Sequence, residues 1–173
     1  HSTMVTLADG GEVSFQDYFV RLRHSVPVAG VRFDSDGSPA TPRVLEALSN
    51  AEVVVIAPSN PFVSIAPIRA LDGVDRLLAA RRESVVAVSP IVGGEALKGP
   101  AARMAVELGH SSDVVAVAAL YSEIATALVI DPVDEALAEA VSAAGMRPVV
   151  VPSVMSDPAV AARLAEATIA AVR

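Results

Sequence analysis

Four stretches of this sequence carry residue types suited to holding an anionic, hydroxyl-bearing ligand. One runs from Ser89 to Pro100 and reads SPIVGGEALKGP. Gly93 and Gly94 let the backbone approach a ligand closely. Lys98 is a point charge beside an expected helix start, where a phosphate fits. The order is not that of the Walker loop, because the lysine precedes Gly99 and a proline follows. The alternative is a flexible loop with a solvated lysine. A second stretch reads APSNPFVSIAPI. Pro58 and Pro61 bracket Ser59 and Asn60 and hold them extended. Ser64 is placed to cap a short helix starting at Ile65, with Pro67 in its first turn. A stiff loop with hydroxyl and amide groups at a helix start reads anions and sugars. The alternative is a proline-stiffened turn with an ordinary cap.

The third stretch is IDPVDEA. Asp131 reads as an N-cap, Pro132 as the first helical residue, and Asp134 as an acidic residue in the first turn. These are all helix-start features, and the functional alternative is a carboxylate pair for a cation or a substrate hydroxyl. The fourth is PSVMSDPAV, where Asp157-Pro158 is again a cap pair and Met155-Ser156 is placed to face a ligand. His1, His24 and His110 have no zinc spacing. G-x-S-x-G, H-E-x-x-H and G-x-G-x-x-G motifs do not occur.

The elements that position these stretches follow from hydrophobic pattern. Residues 4–15 predict a β-hairpin around Asp9-Gly10-Gly11. Phe15, Tyr18, Phe19 and Leu22 lie at helical spacing, and VAGVRFD predicts a strand. Asp34 to Pro42 reads as a loop. Residues 52–57 and 84–89 predict strands of the fully buried type, and 74–82 a helix after Gly73. Residues 100–109 predict a helix opening on Pro and closing on Gly. A short helix, then a strand over 127–130, follows. A helix over PVDEALAEAVSAAG, a strand over RPVVVPS and a closing helix from Asp157 complete the chain. Buried strands alternating with helices predict an α/β fold, a Rossmann-like parallel sheet wrapped by helices, as one domain over 1–173. Ligands in such sheets bind beyond the C-terminal strand ends, where all four stretches fall.

The composition narrows the functional classes. Hydrophobic residues make up 53% and charged residues 19% of 173, which marks a globular chain rather than a disordered one. A net charge of −7 argues against nucleic acid. With no cysteine there is neither a disulfide nor a thiolate metal site, and a reducing compartment is compatible. No apolar run reaches the roughly 18 residues of a membrane helix, and no signal peptide opens the chain. Met4 stands either as a start preceded by added residues or as internal to a longer protein.

Taken together, PSNPFVSIAPI, VSPIVGGEALKGPA, YSEIATALVIDPVD and VPSVMSD resemble the 2-phospho-lactate transferase family of coenzyme F-420 biosynthesis, and FQDYFVRLR is similar to the same family. The resemblance runs across essentially the whole chain. It implies transfer of a phospholactyl or phosphoenolpyruvyl group from a guanosine diphosphate donor to the ribityl hydroxyl of the deazaflavin Fo, with GMP leaving, usually with Mg²⁺. By resemblance Pro58, Ser59, Asn60, Pro61 and Ser64 line the nucleotide or phosphate site. Ser89, Gly93, Gly94, Lys98 and Gly99 cradle phosphate, with Lys98 as the catalytic charge. Asp131, Asp134, Met155 and Ser156 complete the lining. A cytoplasmic homo-oligomer without membrane or nucleic-acid partners is expected.

The family's opening glycine-rich strand and loop have no counterpart before the hairpin. The chain is therefore expected to be the C-terminal part of a longer transferase, inactive alone, with the metal ligands and much of the Fo pocket elsewhere. Two other readings stay open. One is a nucleotide-sugar-binding regulator of the same superfamily, and the other a structural or oligomerisation domain.

Overall fold

The computed structural model describes residues 2–34, 38–96 and 99–173. The hairpin forms as predicted. β1 (Ser2–Leu7) and β2 (Glu12–Ser14) pair antiparallel, with Val5 opposite Val13. The turn closes because Gly10 supplies a φ of 87° and the Asp9 carboxylate accepts from the Gly11 amide at 2.9 Å. β3 (Val28–Asp34) adds on the other side of β1, giving a three-stranded antiparallel sheet in the order β2-β1-β3. Between β2 and β3, the expected helix is one wide turn over Asp17–Arg21, in which Leu22 N donates to the Asp17 carbonyl. Tyr18 is buried, whereas Phe19 stays 42% exposed.

The loop expected over Asp34–Pro42 lies partly outside the described residues, and a helix that the pattern does not announce follows it. α1 (Pro42–Asn50) begins on Pro42, where Thr41 is the N-cap and proline takes the first turn. β4 (Val54–Ile56) is shorter than 52–57 and is not fully buried. Among the described residues it pairs only with β5, and Val55 is 45% exposed. A helical turn (Pro61–Ile65), α2 (Ala66–Arg69) and α3 (Val74–Ala80) lead to β5 (Val85–Val88). A miniature hairpin follows, β6 (Ile91–Val92) and β7 (Glu95–Ala96). Next come α4 (Ala101–Glu107), with Pro100 at its N-cap rather than inside it, α5 (Val114–Tyr121) and β8 (Ala127–Ile130). The predicted helix over 132–145 divides into a tight 3-10 turn (Pro132–Leu137) and α6 (Ala138–Ala143). β9 (Arg147–Val150) and α7 (Pro158–Ala170) close the chain.

The second sheet is parallel throughout, in the order β4-β5-β8-β9, as the alternating pattern predicts. β5 and β8 are its interior strands, so all four residues of each are buried. Their side chains divide by parity. Val85, Ala87, Leu128 and Ile130 pack with Leu78 of α3, Val117 of α5 and Val141 of α6. Val86, Val88, Ala127 and Val129 pack with Leu164 of α7 and Ala171. The antiparallel sheet has its own core, in which Val5, Leu7, Tyr18 and Val28 meet Val63 and Met104. It thus lies against the turn after β4 and against α4. Among the described residues, no helix is long and apolar enough to cross a membrane.

Candidate functional site

The parallel sheet delivers four chain segments beyond its C-terminal strand ends, and those segments contain the residues singled out from the sequence. After β4, Pro58 is exposed and Ser59 and Asn60 are half-buried. Asn60, not Ser64, caps the turn that follows. Its Oδ1 accepts from Phe62 N at 2.9 Å and Val63 N at 3.4 Å, and its Nδ2 contacts Met104 Sδ at 3.6 Å. Ser64 lies inside that turn, exposed, with its amide donating to the Asn60 carbonyl. A cap must have non-helical backbone, and Asn60, with ψ of 120°, has it. Pro61 is buried at the first position of the turn, and Pro67 falls in the first turn of α2 as predicted.

After β5, Ser89 is buried at 3% exposure. Its hydroxyl donates to the Ile91 carbonyl at 2.9 Å and accepts from Ile91 N at 3.1 Å. It therefore shapes the entry of the loop. Gly93 and Gly94 form the two-residue turn between β6 and β7, with φ of 60° and 81°. A tight hairpin of type I′ demands positive φ at both central residues, and glycine meets that demand without strain. The glycine pair is thus a hairpin tip. Both glycines and Gly99, whose φ is 75°, are exposed. Lys98 lies outside the described residues.

After β8, the two carboxylates reach in different directions. Asp131 Oδ1 accepts from Val133 N at 3.2 Å, the expected cap bond. Asp131 Oδ2 accepts from Ser153 N at 2.8 Å, with Ser153 Oγ at 3.4 Å. It ties the exit of β8 to the exit of β9. Asp134 is buried, and both its oxygens accept from Gly93 N, at 3.2 and 3.0 Å. It ties the exit of β8 to the hairpin after β5. The other side of that hairpin is held by Ser112, whose hydroxyl donates to the Gly94 carbonyl at 2.6 Å. After β9, Met155 and Ser156 are exposed, and Asp157 caps α7 through Ala159 N and Val160 N.

Two participants were not singled out from the sequence, Ser112 and Ser153. Both are serines in loops, and their partners lie 18 and 22 residues away. Nothing in local spacing marks such a pair. The structure thus brings Asp131 to the β9 loop and Asp134 to the glycine turn, but not to each other's donors.

Among the described residues the acidic side chains do not cluster into a metal site. Among the described residues no group of three or more His, Cys, Asp or Glu could hold an ion. Asp131 and Asp134 each already receive backbone N–H groups. Among the described residues the protein side chains alone thus form no cation cage.

What the arrangement offers is an ordered rim of exposed backbone and small polar groups over the ends of parallel strands. Comparison with known proteins identifies the kind of molecule to which such a rim belongs. Residues 1–169 match the family described as 2-phospho-L-lactate transferase CofD. A 2-phospho-L-lactate transferase of Methanospirillum hungatei is 38% identical over 137 residues, covering 79% of this chain and 45% of the relative. A phosphoenolpyruvate transferase of Streptomyces avermitilis is 40% identical over 160 residues, covering 91% of this chain and 50% of the relative. The chain spans about half the length of the curated relatives it matches. The crystal structure of protein BH3568 from Bacillus halodurans superposes with a TM-score of 0.67 at 15% identity, covering 97% of this chain and 58% of that one. A second structure, titled as a UPF0052 family member, gives 0.60 at the same identity. Those two likenesses show the fold.

Proposed function

Because this chain belongs to the 2-phospho-L-lactate transferase family, we propose that it supplies the strand-end loops of an enzyme that transfers a phospholactyl or phosphoenolpyruvyl group. The donor is a guanosine diphosphate derivative, and the acceptor is the ribityl hydroxyl of the deazaflavin Fo. The acceptor oxygen attacks the phosphorus that bears the lactyl or enolpyruvyl group. The bond from that phosphorus to the bridging oxygen breaks, GMP departs with the electron pair, and the hydroxyl proton is released to a base or to water. Such a reaction asks little covalent chemistry of the protein and much positioning and charge neutralisation.

The observation that carries this reading is the family match over residues 1–169, which embraces all four strand-end loops. The geometry supports it. Ser59, Asn60 and Ser64 offer hydroxyl and amide groups after β4. Gly93, Gly94 and Gly99 are exposed backbone after β5, and Lys98 stands next to them in the sequence. Lys98 neutralises charge on the transferring group or on departing GMP. The magnesium ion that the family resemblance implies is assigned to no residue here, and no step above is routed through it. The likeness to the UPF0052 structure rests on 15% identity and does not favour the nucleotide-sugar regulator.

The test uses the full-length protein that contains this chain. GMP release from the guanosine diphosphate donor is expected in the presence of Fo, and GDP is expected to raise the melting temperature. Lys98→Ala is expected to lower kcat/KM by about 10²-fold or more, the scale of losing one charge-stabilising donor. Stabilisation by UDP-sugars alone, with no GMP release, would overturn the reading.

A further inference from the structure

Asp134 is an aspartate at 5% exposure in a protein with no metal cluster among its described residues. Burying a carboxylate is costly unless hydrogen bonds compensate. Its compensation is the Gly93 amide, which donates to both oxygens at the tip of the β6–β7 hairpin. That hairpin has two residues in each strand and cannot hold its place by itself. Its tip is held from two sides, by Asp134 on Gly93 and by Ser112 on Gly94. The Val133 methyls add a wall, at 3.7 and 3.8 Å from where a Cβ on Gly93 would stand.

We infer that Asp134 is a positioning residue: its carboxylate fixes the glycine hairpin of residues 91–96 for the binding of a nucleoside diphosphate. This rests on the donor-site reading proposed above. The inference alters what the acidic pair after β8 is for. Asp134 is not a ligand for a cation or a substrate hydroxyl, and the amide of Gly93 is not a phosphate donor, because an anion already occupies it. Phosphate contact falls to the groups that the held hairpin presents.

The test joins two measurements on the full-length protein: hydrogen exchange of segment 91–96 and calorimetric titration with GDP. Asp134→Ala is expected to speed exchange of the segment and weaken GDP binding, each by about tenfold or more, as befits a lost charge-assisted bond. Exchange of β8 should be unchanged. Asp134→Asn keeps an oxygen that accepts from Gly93 and should stay within about threefold of wild type in both readouts. Ser112→Ala, which frees the other side of the tip, should move both readouts in the same direction, so the inference stands or falls even if Asp134→Ala does not fold. Unchanged exchange in both alanine variants would overturn the inference. So would a loosened hairpin with intact GDP affinity, or Asp134→Asn as harmful as Asp134→Ala, which would mark a direct ligand. A hairpin that loosens in Asp134→Ala, in a protein whose wild type does not bind GDP, would refute the donor reading and reduce Asp134 to a stabilising group.

Discussion

Asp131→Ala severs the link between the exits of β8 and β9, and its cost follows from what is left unpaired. Two amides lose their acceptor. Val133 N, at 3.2 Å, is an N-cap partner, and losing a cap costs about 0.5–2 kcal/mol. Ser153 N, at 2.8 Å, belongs to a residue only 6% exposed, so its amide does not simply turn to water. A buried donor left unsatisfied costs about 1–3 kcal/mol. Some relaxation is shared between the two, and the sum is about 2–4 kcal/mol. For a chain of this length each kcal/mol moves the melting temperature by about 2–4 °C, so a fall of roughly 5–15 °C is expected in calorimetry. Asp131→Asn retains one good acceptor oxygen and should lose about half as much. Exchange at 151–153 should quicken in the alanine variant while β5 stays protected. Asp131→Ala within about 0.5 kcal/mol of wild type, the range of an unremarkable surface change, would refute the reasoning. So would an asparagine variant as damaged as the alanine one.

Three further outcomes follow from the packing. The Tyr121 hydroxyl is buried with no hydrogen-bond partner among the described residues, and burial pushes its pKa up against the pull of Arg69. Tyr121→Phe should therefore be at least as stable as wild type, by about 1 kcal/mol in urea unfolding, and a clear loss would show that the hydroxyl is satisfied. Arg103 of α4 donates to Tyr18 Oη at 2.7 Å and to the His24 carbonyl, fastening the antiparallel sheet to α4. A double-mutant cycle of Arg103→Met with Tyr18→Phe should give a coupling of about 1 kcal/mol, and additivity would contradict the contact. At the start of α7, the Val160 amide, against the opposing effect of burial and helped by Ala159 and Ser156, holds the Asp157 carboxyl below its ordinary 3.8. A lowered folded pKa means that the cap's stabilisation is complete above 3.8 and is lost as pH falls through the folded value. The stability gap between wild type and Asp157→Asn should thus shrink on acidification from about pH 5 to about pH 2.5, and a gap that widens would reverse the sign.

How far the sequence reveals this molecule depends on whether the deciding contact is local. Asp9-Gly10-Gly11 announces its hairpin because the turn chemistry is complete within three residues. β5 and β8 are legible because interior parallel strands are apolar on both faces, and VVAV and ALVI are. β4 carries the same signature, yet it is an edge, since strand order is a tertiary property. α1 escapes notice because none of its residues is buried, and Pro42 reads equally well as the end of a loop or the start of a helix. Asn60 and Ser64 are both good caps by type, and only the backbone angle at Asn60 decides between them. The glycine pair reads as a phosphate loop because β6 and β7, at two residues each, are too short to show alternation. Most hidden of all are the partners of Asp131 and Asp134, which lie 22 and 41 residues away.

Those two distant partners give the site its electrostatic logic. β8 lies between β5 and β9, and the turn that leaves it sends one carboxylate to each neighbour's loop. The rim is thereby ordered by anions, in a chain of net charge −7, at the place proposed to receive a diphosphate. Amide dipoles temper Asp131 and Asp134 but do not cancel a full charge. A diphosphate held near the hairpin therefore needs a cation close by, and the sequence places Lys98 four residues beyond Gly94. Lys98 follows the glycines in the sequence, and supplying that compensating charge is the role proposed for it above.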